Sequence, residues 1–350
     1  MSADQDRILL LSSNVRRRYS EDILTALALP SGAMIQFRYE TDYVSPTLQR
    51  TVASGSVVSS AVTIAFVAET DTDNPFLLPV RYAKVVSAVC VADIFIFRLQ
   101  VGSYVNLGDF PRNEGDIRSR SRVILDQVTA ANKRYYPAVT SFPDLHMRES
   151  VDPAGDWLSS ARRLVLHSTF SNSYFLRIDP PTTQTGSPLT FNSDGRLEVV
   201  DRESVRIQVS FYSGLYAPER KHVLSCTTDG TFLRVSSDDS YEVALRYDSV
   251  EFWLHPGSLD FNTLSRVTVS LTGEQGISDF VPAHARFPVV VKRSASRLTL
   301  RVATTALGAL LVALPAILGA SSPLAVRIAI GLVGAALLAT STVVLGSTAK

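Results

Sequence analysis

Two long stretches without charge lie at the end of the chain, and they constrain its architecture more than any other feature. Residues 302–320 and 328–346 each contain nineteen consecutive uncharged residues. At about 1.5 Å per residue in a helix, each stretch reaches roughly 28 Å, close to the ~30 Å hydrocarbon core of a bilayer. In lipid a helix is the expected form, because it satisfies its own backbone polar groups. The pattern predicts a C-terminal transmembrane α-helical hairpin with helices at 302–320 and 324–346, and a hairpin buried within a protein is the less favoured alternative.

Basic residues on the N-terminal side of the first stretch set the expected orientation. The positive-inside rule places residues 1–300 in the cytoplasm and returns the C-terminal tail to the same side. The apolar run at 8–11 is too short for a signal-peptide core, and five lysines among 34 basic residues suggest a GC-rich bacterial genome. The sequence therefore predicts a two-pass protein of the bacterial inner (plasma) membrane with both termini cytoplasmic. The basic segment 291–301 and the second helix supply the predicted lipid-headgroup contacts, which are Lys292, Arg293, Arg297, Arg301 and Arg327.

Small residues at four-residue spacing recur in both apolar stretches. Small side chains at this spacing let two helix backbones approach closely. Packing of the two helices within one hairpin is the favoured interpretation, and association between chains into an oligomer or a pore is the alternative. The residues predicted to pack helices in this way are Ala309, Ala313, Gly331, Gly334 and Ala335.

The region before the hairpin is predicted to be mainly β, in an α+β arrangement of two modules. Residues 1–107 alternate β-type runs with one helix at 20–29, which indicates a mostly antiparallel sheet or a small barrel. Residues 108–160 contain an amphipathic helix followed by a linker. Residues 161–290 carry short β-type runs at nearly regular spacing, separated by turn residues, and this spacing is typical of a β-sandwich.

No catalytic, metal or cofactor motif stands out in the chain. The five histidines are far apart, and none forms a His-Glu-x-x-His pattern or a pair at metal-ligand spacing. Asp144 and His146 lie two residues apart in a loop, where ordinary loop polarity is the better interpretation. The two cysteines, Cys90 and Cys226, fit buried thiols in a reducing compartment. The chain is predicted not to be an enzyme and to need no cofactor or metal.

Two basic clusters could meet phosphate, either as anionic lipid or as nucleic acid. One is the predicted helix with Arg118, Arg120 and Arg122, and the other is the run from Arg16 to Arg18. A solvated face is the default interpretation, lipid contact comes next, and nucleic acid is not expected because no interleaved aromatic residues accompany the arginines. The net charge of +1 gives no global field toward acidic partners.

The sequence favours a membrane-anchored cytoplasmic binding or sensor protein, whose β-rich interaction modules are tethered by the hairpin. A membrane effector of the antiphage or toxin kind, with hairpins that oligomerise to permeabilise the membrane, is the first alternative. A membrane-tethered enzyme with a cleft near His146 or His167 is the second. The expected partners are membrane lipids, an unidentified protein or small-molecule ligand, and further copies of the chain.

Overall fold

The computed structural model describes residues 7–68, 71, 73–132, 138–142, 147–214, 222–230, 232–236, 239–243, 245–257, 261–273, 282–317 and 323–343. The elements of its first half are β1 (Arg7–Ser13), α1 (Arg17–Ala28), β2 (Met34–Glu40), α2 (Pro46–Ala53), β3 (Ala61–Val67), β4 (Leu77–Val91), β5 (Ile94–Tyr104), α3 (Glu114–Asn132), β6 (Val139–Phe142) and α4 (Pro153–Leu164). The strands form one sheet in the order β2-β5-β4-β3-β1-β6. β1 and β3 are parallel, and the other neighbouring pairs are antiparallel.

This first sheet curls around α1. β1 and β3 are buried along almost their whole length, as expected for apolar strands that are covered on both faces. Register shifts interrupt the pairing of β4 with both of its neighbours, and such irregularities bend a sheet. As a result the Tyr39 hydroxyl of β2 donates a hydrogen bond to the Leu11 carbonyl of β1 at 3.0 Å, although three strands separate β2 from β1.

The helices of this half differ from the sequence prediction in two ways. α1 begins at Arg17, before the helix predicted at 20–29, so that Ser20 lies inside the helix and donates to the Arg17 carbonyl at 2.7 Å. Two further helices begin where a proline follows a capping residue. The side chain of Ser45 caps α2, and that of Asp152 caps α4 in the segment predicted to be a linker.

The second half consists of two five-stranded sheets. Its strands are β7 (Tyr174–Ile178), β8 (Thr182–Thr183), β9 (Leu197–Val200), β10 (Val205–Ser213), β11 (His222–Thr228), β12 (Leu233–Val235), β13 (Ser240–Val243), β14 (Tyr247–Pro256), β15 (Thr263–Gly273) and β16 (Ala283–Lys292). One sheet has the order β12-β14-β10-β7, with β8 also paired to β10, and the other has the order β13-β11-β15-β16-β9. Buried and accessible residues alternate along β11, β15 and β16, so that one face of their sheet is covered. The β-sandwich-like architecture predicted for this region is confirmed.

The two halves share one continuous hydrophobic core. α1 packs on β1 and β3 of the curled sheet and also contacts β7 and β16 of the sandwich. Trp157 of α4 is fully buried, and its indole N–H donates to the Leu176 carbonyl of β7 at 3.1 Å. These contacts place α1 between the two sheet systems, where it touches both.

The C-terminal region forms two helices, α5 (Ala295–Ile317) and α6 (Leu324–Val343), that pack against each other. Among the residues described, none of the helices combines the length and the apolar character needed to cross a membrane. The charge-free parts of α5 and α6 within their observed ends are 302–317 and 328–343, about 24 Å each against the ~30 Å hydrocarbon core. The predicted transmembrane hairpin, with its two-pass inner-membrane localisation and cytoplasmic termini, is therefore wrong for the described part of the chain.

The contact between α5 and α6 depends on two glycines. A Cβ atom added at Gly334 would lie 2.8 Å from the Val312 backbone nitrogen and 2.9 Å from the Gly308 carbonyl oxygen. A Cβ atom at Gly331 would meet its nearest neighbour, the Cγ atom of Pro315, only at 3.9 Å. Gly308 and Gly334 are buried, and the other residues predicted for this contact are more open. Ala309, Ala313 and Ala335 are exposed, and Gly331 is half-buried.

Candidate ligand-binding cleft

A cleft opens at the end of β1, beside the start of α1 and the last residues of β2. It consists of two adjoining cavities of about 110 and 270 Å³. Together they reach the lower end of the roughly 300–1,000 Å³ that is usual for small-molecule sites. We call it the β1–α1 cleft. The six residues that line both of its cavities are Arg16, Tyr19, Asp22, Arg38, Tyr39 and Glu40.

Serines at the end of β1 hold the loop that leads into α1. Ser12 Oγ donates to the Tyr19 carbonyl at 2.7 Å, and Ser13 Oγ accepts from the Val15 backbone N–H at 3.4 Å. Both serines are almost fully buried. The loop therefore leaves the sheet at a fixed angle beside the carboxyl end of β3, and adjacent parallel strands commonly open a ligand crevice at such an end.

Aromatic side chains form much of the wall of the cleft. Tyr39 stacks on Phe37 with ring centroids 6.5 Å apart and meets Phe97 edge-on at 6.3 Å. Burial raises the pKa of Tyr39 well above its ordinary value, so its hydroxyl stays protonated and keeps its bond to the Leu11 carbonyl. Tyr19 is half-buried, and Tyr43 is 41% exposed at the rim. These rings offer flat apolar surface to a ligand.

Three arginines surround the opening, namely Arg16, Arg18 and Arg38, and all three are exposed. Within the described chain, none of them has a carboxylate oxygen within 4.0 Å, whereas their neighbour Arg17 pairs with Glu21 at 2.9 Å. The Arg16 guanidinium lies 5.9 Å from the centre of the Tyr19 ring. Guanidinium groups bind carboxylate and phosphate in a two-pronged manner, so this group favours an anionic ligand.

Asp22 is the half-buried carboxylate of the cleft. Burial raises its pKa to about 6, Arg18 opposes that rise and Glu21 adds to it. At neutral pH the group is mostly ionised, yet its carboxylate makes no hydrogen bond or ion pair with the residues described. The cleft thus combines arginines at its mouth, tyrosine rings along its wall and a carboxylate that lacks a donor.

The histidines and cysteines do not take part in this cleft. His167 is buried against Phe66 and Phe76, and its Nε2 atom lies 3.3 Å from Asp71 Oδ2. Burial lowers the pKa of His167 more than Asp71 raises it.

His146 lies outside the described residues. The thiol of Cys90 is exposed and that of Cys226 is buried, and both are free. Over the described ranges, no three histidine, cysteine or acidic side chains come together in a way that could hold a metal ion.

The basic helix predicted as a phosphate or lipid surface is α3, and two of its three arginines have internal partners. Arg118 pairs with Asp71 and with Glu114, each at 2.8 Å. Arg122 donates to the Asp73 carbonyl. Arg120 lines a separate opening of about 530 Å³, together with Arg148.

The residues predicted to contact lipid headgroups have varied surroundings. Lys292 pairs with Glu198 at 2.5 Å, and the Arg293 backbone N–H donates to Asn262 Oδ1 at 3.1 Å. Arg327 is half-buried at the start of α6. The side chains of Arg297 and Arg301 lie outside the described part of α5.

The sequence pointed to one part of the cleft and missed the rest. The run from Arg16 to Arg18 predicts a cluster that can meet phosphate. Asp22 and Arg38 gave no such signal, because the fold brings them together from a helix and from a strand that meets β1 only after the sheet curls.

Comparisons with known proteins give little further guidance. No protein-family model matches the chain, and no curated protein matches it significantly. The E. coli chaperone DraB is 9% identical, with 35% of this chain and 57% of that chain covered and a TM-score of 0.22. The periplasmic chaperone SfaE is also 9% identical, with 29% and 57% covered and a TM-score of 0.22.

A third similar structure is the CARDB domain of PF1109 from Pyrococcus furiosus. It is 13% identical, with 35% of this chain and 94% of that domain covered and a TM-score of 0.21. The chain spans just over half the length of the two chaperones. At such TM-scores these similarities carry no argument about this protein.

Proposed function

We propose that the protein is a ligand-binding sensor, whose β1–α1 cleft receives a small anionic molecule that also carries a flat ring. The observation that carries this proposal is the set of three arginines around an aromatic cleft, none of which has a carboxylate oxygen within 4.0 Å in the described chain. Of the three, Arg38 donates from Nε and Nη2 to the side-chain oxygen of Gln36, at 2.8 and 3.1 Å. Arginine side chains around a concave site attract and retain anions, and the three arginines outnumber the two carboxylates, Asp22 and Glu40, that line both cavities. Tyrosine faces provide a stacking surface. Binding, and not catalysis, is the function that this arrangement supports best.

The response to the ligand is proposed to pass through α1. The first turns of this helix line the cleft, and its body contacts β7 and β16 of the sandwich. A ligand that draws in Arg16 and Arg18 would fix the start of α1, and the sandwich would then present its surface to a partner. A membrane effector is not proposed, because no described helix can cross a membrane.

The test is isothermal titration calorimetry on the full chain with pyrophosphate, AMP and uncharged adenosine. We expect AMP to bind, pyrophosphate to compete with it, and adenosine to bind at least tenfold more weakly. Arg38→Gln and Arg16→Gln should each weaken AMP binding about tenfold, because a hydrogen bond to a charged group contributes roughly 1.5–3 kcal/mol.

Arg50→Gln is the matched control for these variants. Arg50 is an exposed arginine of α2 that does not line the cleft, and its side chain donates only to the Pro46 carbonyl at 3.3 Å among the bonds described. Its substitution should leave the affinity unchanged. Failure of AMP and pyrophosphate to bind, or equal binding by the parent and by Arg38→Gln, would overturn the proposal.

A further inference from the structure

Asp22 adds information about the ligand that the arginines do not contain. It lines both cavities of the β1–α1 cleft from the first turns of α1. A half-buried carboxylate needs hydrogen-bond donors to offset the loss of water, and no described residue supplies them. Its neighbour Glu21 is satisfied by Arg17 at 2.9 Å. The missing donors are therefore expected from the ligand.

The donors must belong to a molecule that also satisfies the arginines and the rings. A carboxylate has two oxygens in one plane, so it is best matched by two parallel N–H groups, as in its pairing with a guanidinium group. Among flat rings that carry phosphate, guanine has this feature, because its ring N1–H and exocyclic amino group lie side by side. Adenine presents a ring nitrogen acceptor at the same place, which would face the carboxylate unfavourably.

We infer that the ligand of the β1–α1 cleft is a guanine nucleotide, with its base edge on Asp22, its ring against the tyrosines and its phosphate among the arginines. This inference rests on the proposed function and specifies its ligand. Tyr19, which lines both cavities, is the ring placed to stack on the base, since Tyr39 is already held by Phe37 and the Leu11 carbonyl. Stacking of a base on an aromatic side chain adds to affinity for any base, so discrimination falls to Asp22.

The experiment compares GMP, IMP and AMP by isothermal titration calorimetry on the full chain at pH 7.5. IMP keeps the ring N–H and lacks the amino group, so it should bind about tenfold more weakly than GMP, and AMP should bind more weakly still. In Asp22→Asn the ratio of AMP to GMP dissociation constants should collapse toward one. In Glu21→Gln, a change to the adjacent carboxylate of α1, the ratio should stay as in the parent.

A pH series gives a second readout that does not depend on a variant. The pKa of Asp22 is raised to about 6 by burial, so the carboxylate gains its proton between pH 7.5 and pH 5. The preference for GMP over AMP should shrink over that interval in the parent and stay flat in Asp22→Asn.

The outcomes separate this inference from the proposal on which it rests. If AMP and GMP bind equally well and both depend on Arg38, the cleft binds anions and the guanine inference is wrong. The inference also falls if Asp22→Asn keeps the parent's preference for GMP. If neither nucleotide binds, the proposed function itself fails.

Discussion

The two ends of α1 differ in how other side chains contact them. At its C-terminal end, the buried Arg81 donates to the carbonyls of Ala26 and Leu27 at 3.3 and 3.4 Å and lies 3.7 Å from the Tyr104 ring. The Tyr104 hydroxyl donates to the same Leu27 carbonyl at 2.8 Å. At the N-terminal end, no side chain caps the helix. Arg17 there pairs with Glu21 at 2.9 Å, whereas Arg16 and Arg18 have no carboxylate oxygen within 4.0 Å in the described chain. The C-terminal end of α1 is therefore buried and hydrogen-bonded by Arg81 and Tyr104, and we call it the sealed end. The N-terminal end borders the β1–α1 cleft, and we call it the open end.

The turn after the sealed end is also covered by the sandwich. A Cβ atom at Gly32 would lie 3.0 Å from Phe191, and one at Gly195 would collide with Met34 at the start of β2. The Arg98 side chain donates to the Asp194 carbonyl at 3.2 Å. A buried arginine without an ion pair can stabilise the fold through hydrogen bonds, as Arg81 does. Arginines without an ion pair beside an open cleft instead indicate a site for a ligand.

Removing Arg81 should have the largest effect, because it breaks the sealed end. Arg81→Met removes the hydrogen bonds that this buried charged group donates to the carbonyls of Ala26, Leu27 and Gly102, and hydrogen bonds to charged groups contribute roughly 1.5–3 kcal/mol each. The Ala26 carbonyl loses its side-chain donor, whereas the Leu27 carbonyl keeps the Tyr104 hydroxyl. We expect a loss of about 4 kcal/mol in the free energy of unfolding, measured by urea denaturation. Tyr104→Phe, which removes one donor only, should cost about 1 kcal/mol. Equal stability of Arg81→Met and the parent would show that this end of α1 is not sealed by Arg81.

A smaller effect is expected where the sandwich covers the sealed end. Gly195 and Gly186 both have positive φ, of 70° and 85°, so alanine is strained at either position. Only Gly195 also has a neighbour in the way, while nothing lies within 4 Å of a Cβ atom at Gly186. We expect thermal unfolding to give a loss of about 3 kcal/mol for Gly195→Ala and about 1 kcal/mol for Gly186→Ala. Equal losses would mean that the contact with Met34 adds nothing.

The smallest expected effect on the free energy of unfolding is that of Asp22→Asn at the open end of α1, and this substitution stabilises the protein. The pKa of Asp22 is raised from 3.8 to about 6 in the folded protein, so the folded state holds this proton more tightly than the unfolded chain. The contribution of Asp22 to stability is therefore lost as pH rises from about 4 to about 6, and the full penalty remains above pH 6. Asp22→Asn removes the penalty.

We expect Asp22→Asn to be more stable than the parent by about 1 kcal/mol at pH 7, after discounting for the part of the carboxyl group that stays in contact with solvent. At pH 3.5 the two proteins should have equal stability. Urea denaturation at both pH values measures this difference. A variant that is less stable at pH 7 would show that Asp22 has a stabilising partner in the folded protein.

The helices and strands that the sequence predicts are those whose signals come from residues close together in the chain. The regular spacing of β-type runs after residue 161 predicts the sandwich, because alternation of buried and exposed side chains is a property of each strand alone. The starts of α2 and α4 also had a local signal, since Ser45-Pro46 and Asp152-Pro153 each place a cap before a proline. Asp152-Pro153 was interpreted as part of a linker, since loops favour the same residue pair.

The C-terminal prediction failed for a different reason. A charge-free stretch of the sequence predicts a spanning helix, whereas the property that matters is the charge-free length within the described helix. The described part of α5 ends at Ile317, and Arg327 lies in the first turn of α6. Residue spacing predicted Gly334 for the contact between the helices and did not predict its neighbour Gly308, where two backbones at van der Waals distance leave no room for a Cβ atom.

The sequence by itself determined the β-rich character, the sandwich in the second half, the amphipathic α3 and the basic run at the start of α1. Each of these depends on residues close together in the chain. Only the tertiary structure decided the β1–α1 cleft and the contacts of Arg81 at the sealed end of α1. Asp22 and Arg38 meet because the sheet curls, and Arg81 reaches the end of α1 from a strand more than fifty residues later. Such meetings depend on the register and curvature of the sheet, which the interactions of all its strands fix together.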